Sequence, residues 1–527
     1  MSFLPVEVID IIINYIDECD LSTLLNISLV DRKWCLIGIR RLWSFPFIKV
    51  YNKKRLEIYS KIITILLSFL DNETKSFLKI DGLFDIPFKT SFDYPSFIRQ
   101  IDFVILRDLI YSWLEQNKFS PHSINQEIDY ENENNHFLSF NYKNLNDGFQ
   151  ITIETLIFFE ILFKLIIRKS QGINILRIVS FKHEFPLTYP YTLIKLEESQ
   201  RCLSRLKQFK CKGDFLKKPL MLLITEISHE ISTFSLSLSN DSLLYKKDLK
   251  TSHVSSFLKS QTKLKNLSVR SNDLVTFKYL KGVKKIIRKT LQEIKLFEGD
   301  LDYRLKKLLK CSNLRRICFY NLNLFENQSL GHVVFPNLKD LEIINCNFLL
   351  SDEPSPIISF LINNGSNLLK IRLSMIPDDQ ISRFLLKIPQ YCPNLVTLSV
   401  DLITKSDLQN FYQVLLSCNN LKNVDFGNKC KWQHFVNEYI LYLNKISPSN
   451  LRKLRVRYWI VHIKSFKRFF KKYGSFVNEF ECPCTEGEVE IRSLVMSLVK
   501  KMNRTLVSLL IEEVEFQMIS VVKIRLK

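Results

Sequence analysis

Side chains suited to chemistry are few and scattered in this chain. Cys482-Pro483-Cys484 is the tightest pair among twelve cysteines, and the eight histidines, including His183 beside Glu184 and the lone His462, stand apart. A structural zinc site needs four Cys or His ligands, commonly as two close pairs, and no second close pair accompanies Cys482 and Cys484. No H-E-x-x-H, G-x-S-x-G, G-x-G-x-x-G or Walker A sequence is present, and glycine is scarce at 12 of 527 residues. The expectation is free thiols in a reducing compartment, no metal site, no cofactor and no catalytic residue.

What the residue types do support is binding. Segment 451–472, LRKLRVRYWIVHIKSFKRFFKK, carries nine Lys or Arg in twenty-two residues. Arg455 lies between Leu454 and Val456, and Arg457 follows on the same alternating side, so both are predicted to leave a strand on the face opposite its apolar residues. Guanidinium groups so placed suit carboxylate or phosphate oxygens, which makes Arg455 and Arg457 the expected target contacts. Lys467 to Lys472 read as the solvated side of a helix that packs Phe466, Phe469 and Phe470 inward. Tyr458-Trp459 and Phe469-Phe470 among the cations also permit a stacking reading for nucleic acid, although Trp459 falls after the strand, where burial is expected.

The elements that position these residues repeat. L-x-x-L-x-L variants begin at Leu264, Leu291, Leu314, Leu338, Leu368, Leu395, Leu421 and Leu451, at spacings of 27, 23, 24, 30, 27, 26 and 30 residues. Looser copies are Leu176/Val179/Phe181, Leu206/Phe209/Cys211, Ile231/Phe234/Leu236 and Leu506/Leu509/Ile511, and Ile98, Ile101 and Phe103 read as a first, capping strand. The last two apolar positions of each motif are two apart and share a strand face, while FYQVLLSCN (411–419) and ISRFLLKIP (381–389) read as return helices. Such a unit buries its apolar side only by stacking on its neighbours, which predicts a leucine-rich-repeat solenoid: an α/β arc with parallel strands inside and helices outside. Cys311, Cys392 and Cys418, each three residues before an anchor leucine, are expected to be small packing groups, as is Cys346 in the slot after a strand, which Asn272 fills in an earlier repeat.

The net charge of +21 fits phosphate, anionic lipid or acidic protein surfaces and does not choose among them. Segment 155–167, TLIFFEILFKLII, contains Glu160 and Lys164 and is shorter than the roughly 20 residues needed to span a bilayer. Glu7 and Asp10 interrupt what would otherwise be the start of a secretory signal, so the expected location is cytoplasmic or nuclear. Residues 120–150, with NQEIDYENENNH, read as an exposed acidic loop.

Ahead of the repeats stands LPVEVIDIIINYIDECDLSTLLNISLVDRKWCLIGIRRLW, residues 4–43. Leu4-Pro5 with Glu7, apolar Ile9, Ile12 and Ile13, the Asp20-Leu21 turn, Leu24, Ser28-Leu29-Val30, Trp34-Cys35 and the closing Leu42-Trp43 resemble the F-box. The whole layout resembles fungal F-box/leucine-rich-repeat proteins, particularly the expanded families of arbuscular mycorrhizal fungi. That resemblance implies a substrate-recognition adaptor of an SCF-type cullin–RING ubiquitin ligase, without catalysis or cofactor of its own. It also implies that Leu4, Pro5, Glu7 and Ile12 meet the Skp-type linker subunit, and that Leu24, Leu29, Val30 and Trp34 form the remaining helical surface and its supporting core. Independently, about forty residues make too small a core to be comfortable alone, so part of this apolar surface should be covered by a partner or by the following domain. The expected organisation is a module at 1–46, a linking region with irregular repeats or a cap at 47–170, and the solenoid at 171–527. The alternative is a basic repeat scaffold that binds acidic protein or nucleic acid without recruiting a ligase.

Overall fold

Two aspartates start the N-terminal helices. Asp20 accepts from the backbone N–H of Thr23 at 3.0 Å, and Asp31 accepts from those of Lys33 and Trp34 at 2.7 and 2.9 Å. They divide the opening stretch into α1 (Val6–Asn14), α2 (Leu21–Ser28) and α3 (Arg32–Ser44). Ile9, Ile13, Leu24 and Ile37 form their core, with Ile16, Ile27, Trp34 and Leu42 packed around it. Gly38 lets α3 approach α2 closely: a Cβ there would lie 2.3 Å from the Ser28 hydroxyl.

This computed structural model describes residues 4–16, 20–47, 60–78, 80, 91–117, 152–179, 189–212, 218–237, 251–270, 285–300, 311–323, 331–347, 356–402, 405–427, 450–457, 478–484, 506–514 and 519–526, with isolated positions between 464 and 500. The acidic segment 120–150, His183-Glu184, Asn272, Tyr458-Trp459, His462, Phe466, Phe469 and Phe470 lie outside them. The chain divides into two compact units, Met1–Leu264 and Lys265–Lys527. Each is an α/β solenoid of leucine-rich-repeat type.

In the first unit β1 (Gln100–Asp102), β2 (Ile175–Ile178), β3 (Gln208–Lys212) and β4 (Thr233–Ser237) pair in parallel in chain order. The apolar segment expected not to cross a membrane is the core helix Ile153–Lys169, where fully buried Glu160 pairs with Lys164 at 3.0 Å. No described helix is long and apolar enough to span a bilayer. Trp43 at the end of α3 stacks on Tyr94 with ring centroids 4.4 Å apart, and Arg99 N–H donates to the Ser44 carbonyl at 3.0 Å. The three-helix module is therefore joined to the first repeat within one unit.

The β2 register differs from the sequence expectation. Its anchor is Ile173 and its inward residues are Leu176 and Ile178, whereas Val179 follows the strand's end and Phe181 lies outside the described residues. The backbone explains why: the carbonyl of Arg99, one residue past Ile98, accepts from Asn174 and Ile175 N–H, and the carbonyl of Asn174 accepts from Lys207 and Gln208 N–H. The apolar spacing fits both frames; only this carbonyl step selects one.

In the second unit β5 (Asn266–Arg270), β6 (Glu293–Asp300), β7 (Arg316–Asn323), β8 (Asp340–Ile344), β9 (Lys370–Ser374), β10 (Thr397–Asp401), β11 (Asn423–Gly427), β12 (Lys453–Arg457) and β13 (Glu479–Cys484) run parallel in chain order. All eight anchor leucines are at most 4% exposed. Helices Asp378–Tyr391 and Lys405–Ser417 return behind the strands, as expected for 381–389 and 411–419. Cys482-Pro483-Cys484 ends β13, which repeat spotting missed because Phe480 follows no leucine anchor. The copy at Leu506/Leu509/Ile511 is a correction: it lies in β14 (Leu506–Val514), which pairs antiparallel with β15 (Ile519–Leu526), itself antiparallel to β13. A hairpin cannot supply the crossover that a parallel repeat requires.

Two further features recur with the repeats. The Asn before each of six successive anchors, Asn313, Asn337, Asn367, Asn394, Asn420 and Asn450, donates its carboxamide to the carbonyl two residues before the preceding anchor, as in Asn337 to Ser312 at 2.8 Å and Asn394 to Ser366 at 2.9 Å. Glu298, Asn321, Asn345 and Met375 each have positive φ and each lies seven residues after its anchor, at Leu291, Leu314, Leu338 and Leu368. Asn345 and Met375 directly follow the ends of β8 and β9, whereas Glu298 and Asn321 lie within the longer β6 and β7; in this left-handed region Asn is favoured and Met is strained.

Asn394→Ala is expected to lower stability by about 1 kcal/mol, and Leu395→Ala by about 2–5 kcal/mol, since Leu395 is fully buried. Urea unfolding of the full chain checks both. A neutral Leu395→Ala variant would contradict the anchor assignment.

Candidate functional site

The residues singled out from the sequence fall on two surfaces, the outside of the helical module and the polar face of the second unit's strands. In the module, Ile9 and Ile13 sit four residues apart and point inward, leaving the rest of α1 outward. Leu4, Pro5, Glu7 and Ile12 are exposed, Leu29 and Val30 are 76% and 65% exposed, and Trp34 is half-buried against the core. Leu24 is core, so it supports this surface and cannot contact a partner directly. Val8, Ile11, Tyr15, Leu25 and Leu36 are also exposed and were missed by sequence reasoning. A helix apolar on nearly every face does not disclose which face turns inward.

On the strand face of the second unit, cations and carboxylates of neighbouring strands neutralise one another. Glu342 accepts from Arg316 at 2.8 Å and from Arg372 at 3.0 Å, one strand to either side. Arg455 pairs with Glu481 at 3.0 Å, and Lys453 pairs with Glu479. Arg457 bridges Asp401 at 3.1 Å and Asp425 at 2.5 Å, with its side chain only 16% exposed. Asp401 also accepts from the Ser374 hydroxyl and from Met375 N–H at 3.1 Å. The two arginines predicted as target contacts are thus already engaged: Arg457 clamps two strands, while Arg455 keeps a larger exposed fraction beside Glu481. Their partners lie 26 to 56 residues away in sequence, in repeats whose polar positions a single motif does not connect. Lys464, Lys467, Arg468 and Lys471 are exposed.

Burial alone would raise the Glu342 pKa, but the hydrogen bond from Arg316, the charge of Arg372 and the thiol of Cys318 outweigh it and hold the carboxyl below its ordinary range. Farther along the face Arg270 lies 4.9 Å from the Phe297 ring centroid, and Phe297 stacks on Tyr320 at 4.3 Å. This column is a rigid aromatic edge on an otherwise charged surface.

Cys311, Cys346, Cys392 and Cys418 are buried packing groups, as expected. Burial pushes the thiols of Cys311 and Cys392 up to about 12 and those of Cys346 and Cys418 up to about 11. Such thiols are poor nucleophiles at neutral pH. Among the described residues no group of three or more His, Cys, Asp or Glu is arranged to hold a metal.

No family model matches the chain, and no curated protein matches it. Among solved structures it is similar to a chain of the Rad7 and Elc1 complex in yeast, with 14% identity and a TM-score of 0.35 over 80% of this chain and 91% of that one.

Because the Glu342 pKa is depressed on folding, its contribution is fully present above the unfolded-chain value and is lost as pH falls through the lower folded value. Glu342→Gln is expected to lose about 1–3 kcal/mol at pH 7 relative to the parent chain, and the gap should close as acid protonates the parent's carboxyl. Urea midpoints at pH 7 and below 4.5, the ordinary glutamate value, test this. A gap of the same size at both pH values would mean that the ion pairs contribute nothing.

Proposed function

We propose that this chain is a non-catalytic adaptor of an SCF-type cullin–RING ubiquitin ligase, in which the F-box-like helices at the N-terminus bind a Skp-type linker and the repeats hold a target protein. The observation that carries this reading is the division within α1 to α3. Ile9, Ile13, Leu24 and Ile37 satisfy the internal core, yet Leu4, Ile11, Ile12, Leu25, Leu29 and Val30 remain outside it. Covering them with another subunit removes apolar area from water at about 25 cal/mol per Å².

The stack of Trp43 on Tyr94 and the Arg99–Ser44 hydrogen bond couple the helices to the first repeat. A target held on the repeats would then be tethered to the linker through the same chain, which raises the local concentration of its lysines at the activated ubiquitin. The strand face offers such a target a preformed surface, because its arginines and carboxylates are fixed by one another before binding.

Purified full-length chain is expected to bind a Skp-type linker, with Ile12→Asp and Leu29→Asp each weakening binding at least about tenfold. Both side chains are exposed, so the variants should fold, and urea midpoints within about 0.5 kcal/mol of the parent would verify it. A folded parent chain that captures no linker overturns the reading.

A further inference from the structure

Arg316, Arg372, Arg455 and Arg457 on the strand face each meet a carboxylate, but one group of arginines in the first unit does not. Arg40 on α3 and Arg99 before β1 both donate to the single carboxamide oxygen of Gln171, at 3.4 and 3.2 Å. Two guanidinium groups are thereby brought to one oxygen atom. Arg205 adds a third: its Cδ lies 3.4 Å from where a Cβ on Gly172 would stand, and its charge acts on Arg99. Among the described residues Arg40, Arg99 and Arg205 form no ion pair, whereas the nearby Arg168 is matched with Glu198.

Like charges gathered without a counter-ion repel, and the fold holds them there. Arg99 cannot swing away because its other guanidinium nitrogen donates to the carbonyls of Ser96 and Ile98 at 2.7 and 2.9 Å and to the Ser170 hydroxyl at 3.2 Å. Ser170 is in turn fixed by donating to the Ile98 carbonyl at 2.7 Å. The cost is visible in Arg99, whose pKa is lowered first by burial and then by the charges of Arg40 and Arg205. Arg40 and Arg205 themselves are exposed, so the group opens to solvent.

We propose that Arg40, Arg99 and Arg205, with Gln171 between them, bind a phosphate monoester. A carboxylate offers one charge and two oxygens, whereas a phosphate monoester offers nearly two charges and three acceptor oxygens, which fits two guanidinium groups at one point with a third charge beside them better. The same chemistry is available from free phosphate compounds and from a phosphorylated side chain of a bound protein. Neither the exposed apolar surface of the module nor the linker reading is needed for this site.

The test uses the folded full-length chain, inorganic phosphate, a short phosphoserine peptide, and acetate and chloride at matched ionic strength. Phosphate should raise the melting temperature where acetate and chloride do not. Arg205→Gln, which removes an exposed side chain, should weaken phosphate binding by about tenfold. Gln171→Glu should place a carboxylate between Arg40 and Arg99, raising the melting temperature without phosphate and removing most of its effect. Peptide binding at least tenfold tighter than inorganic phosphate assigns the site to phosphorylated proteins, and equal binding assigns it to free phosphate compounds. A phosphate response no larger than that of chloride, or one unchanged in both variants, overturns the proposal.

Discussion

The structure rests on one backbone step. In repeat after repeat, the carbonyl of the residue following the anchor accepts two successive N–H groups from the next repeat, as Arg315 does from Lys339 and Asp340, and Val396 from Lys422 and Asn423. This bifurcated step sets each strand against its neighbour without slippage. Because every repeat is placed the same way, residues at one motif position stack into a row along the unit. The leucine row is the core, the Asn row satisfies carbonyls at the turns, and the row seven residues past the anchor takes left-handed backbone. A slip of one residue would turn a polar row into the core, so burial and hydrogen bonding select the same register.

The rows also govern charge. A net charge of +21 suggests a uniformly positive surface, yet on the strand face of the second unit register brings Glu342 between Arg316 and Arg372, and Arg455 beside Glu481. Half-buried cations are tolerable there because each has a carboxylate in the adjacent row position. That arrangement makes the face stiff and locally near neutral. Excess positive charge is carried elsewhere, by exposed lysines such as Lys467 and Lys471 and by the arginines around Gln171, which form no ion pair among the described residues.

The helical module obeys a different economy. Three short helices enclose a few isoleucines and a leucine, assisted by the close α2–α3 approach at Gly38, and cannot enclose more. A unit this small has more apolar side chains than interior, so some stay outside whatever the packing. Its fusion to the first repeat through Trp43 and Tyr94 supplies part of the missing burial, while Leu29 and Val30 stay exposed.

Much of the fold was legible in the sequence because a period of 23 to 30 residues between leucine anchors repeats one local requirement eight times. Anchors, strand-facing pairs and return helices follow from spacing alone, as does the turn at Asp20-Leu21. The β2 frame, the strand at Glu479–Cys484 and the antiparallel end at Leu506–Val514 were not legible, since apolar spacing there fits several frames and only the neighbouring strand's hydrogen bonds choose. The candidate sites divide in the same way. Sequence by itself determined that Arg455 and Arg457 leave the strand on its polar face and that the first forty residues carry surplus apolar side chains. Only the tertiary structure decided that Arg457 is held by Asp401 and Asp425, that Leu24 turns inward while Leu29 turns outward, and that Arg40, Arg99 and Arg205 gather around Gln171. Periodicity is a local property that a chain displays in one dimension, whereas the pairing of charges depends on which distant repeats the register brings within a few ångströms.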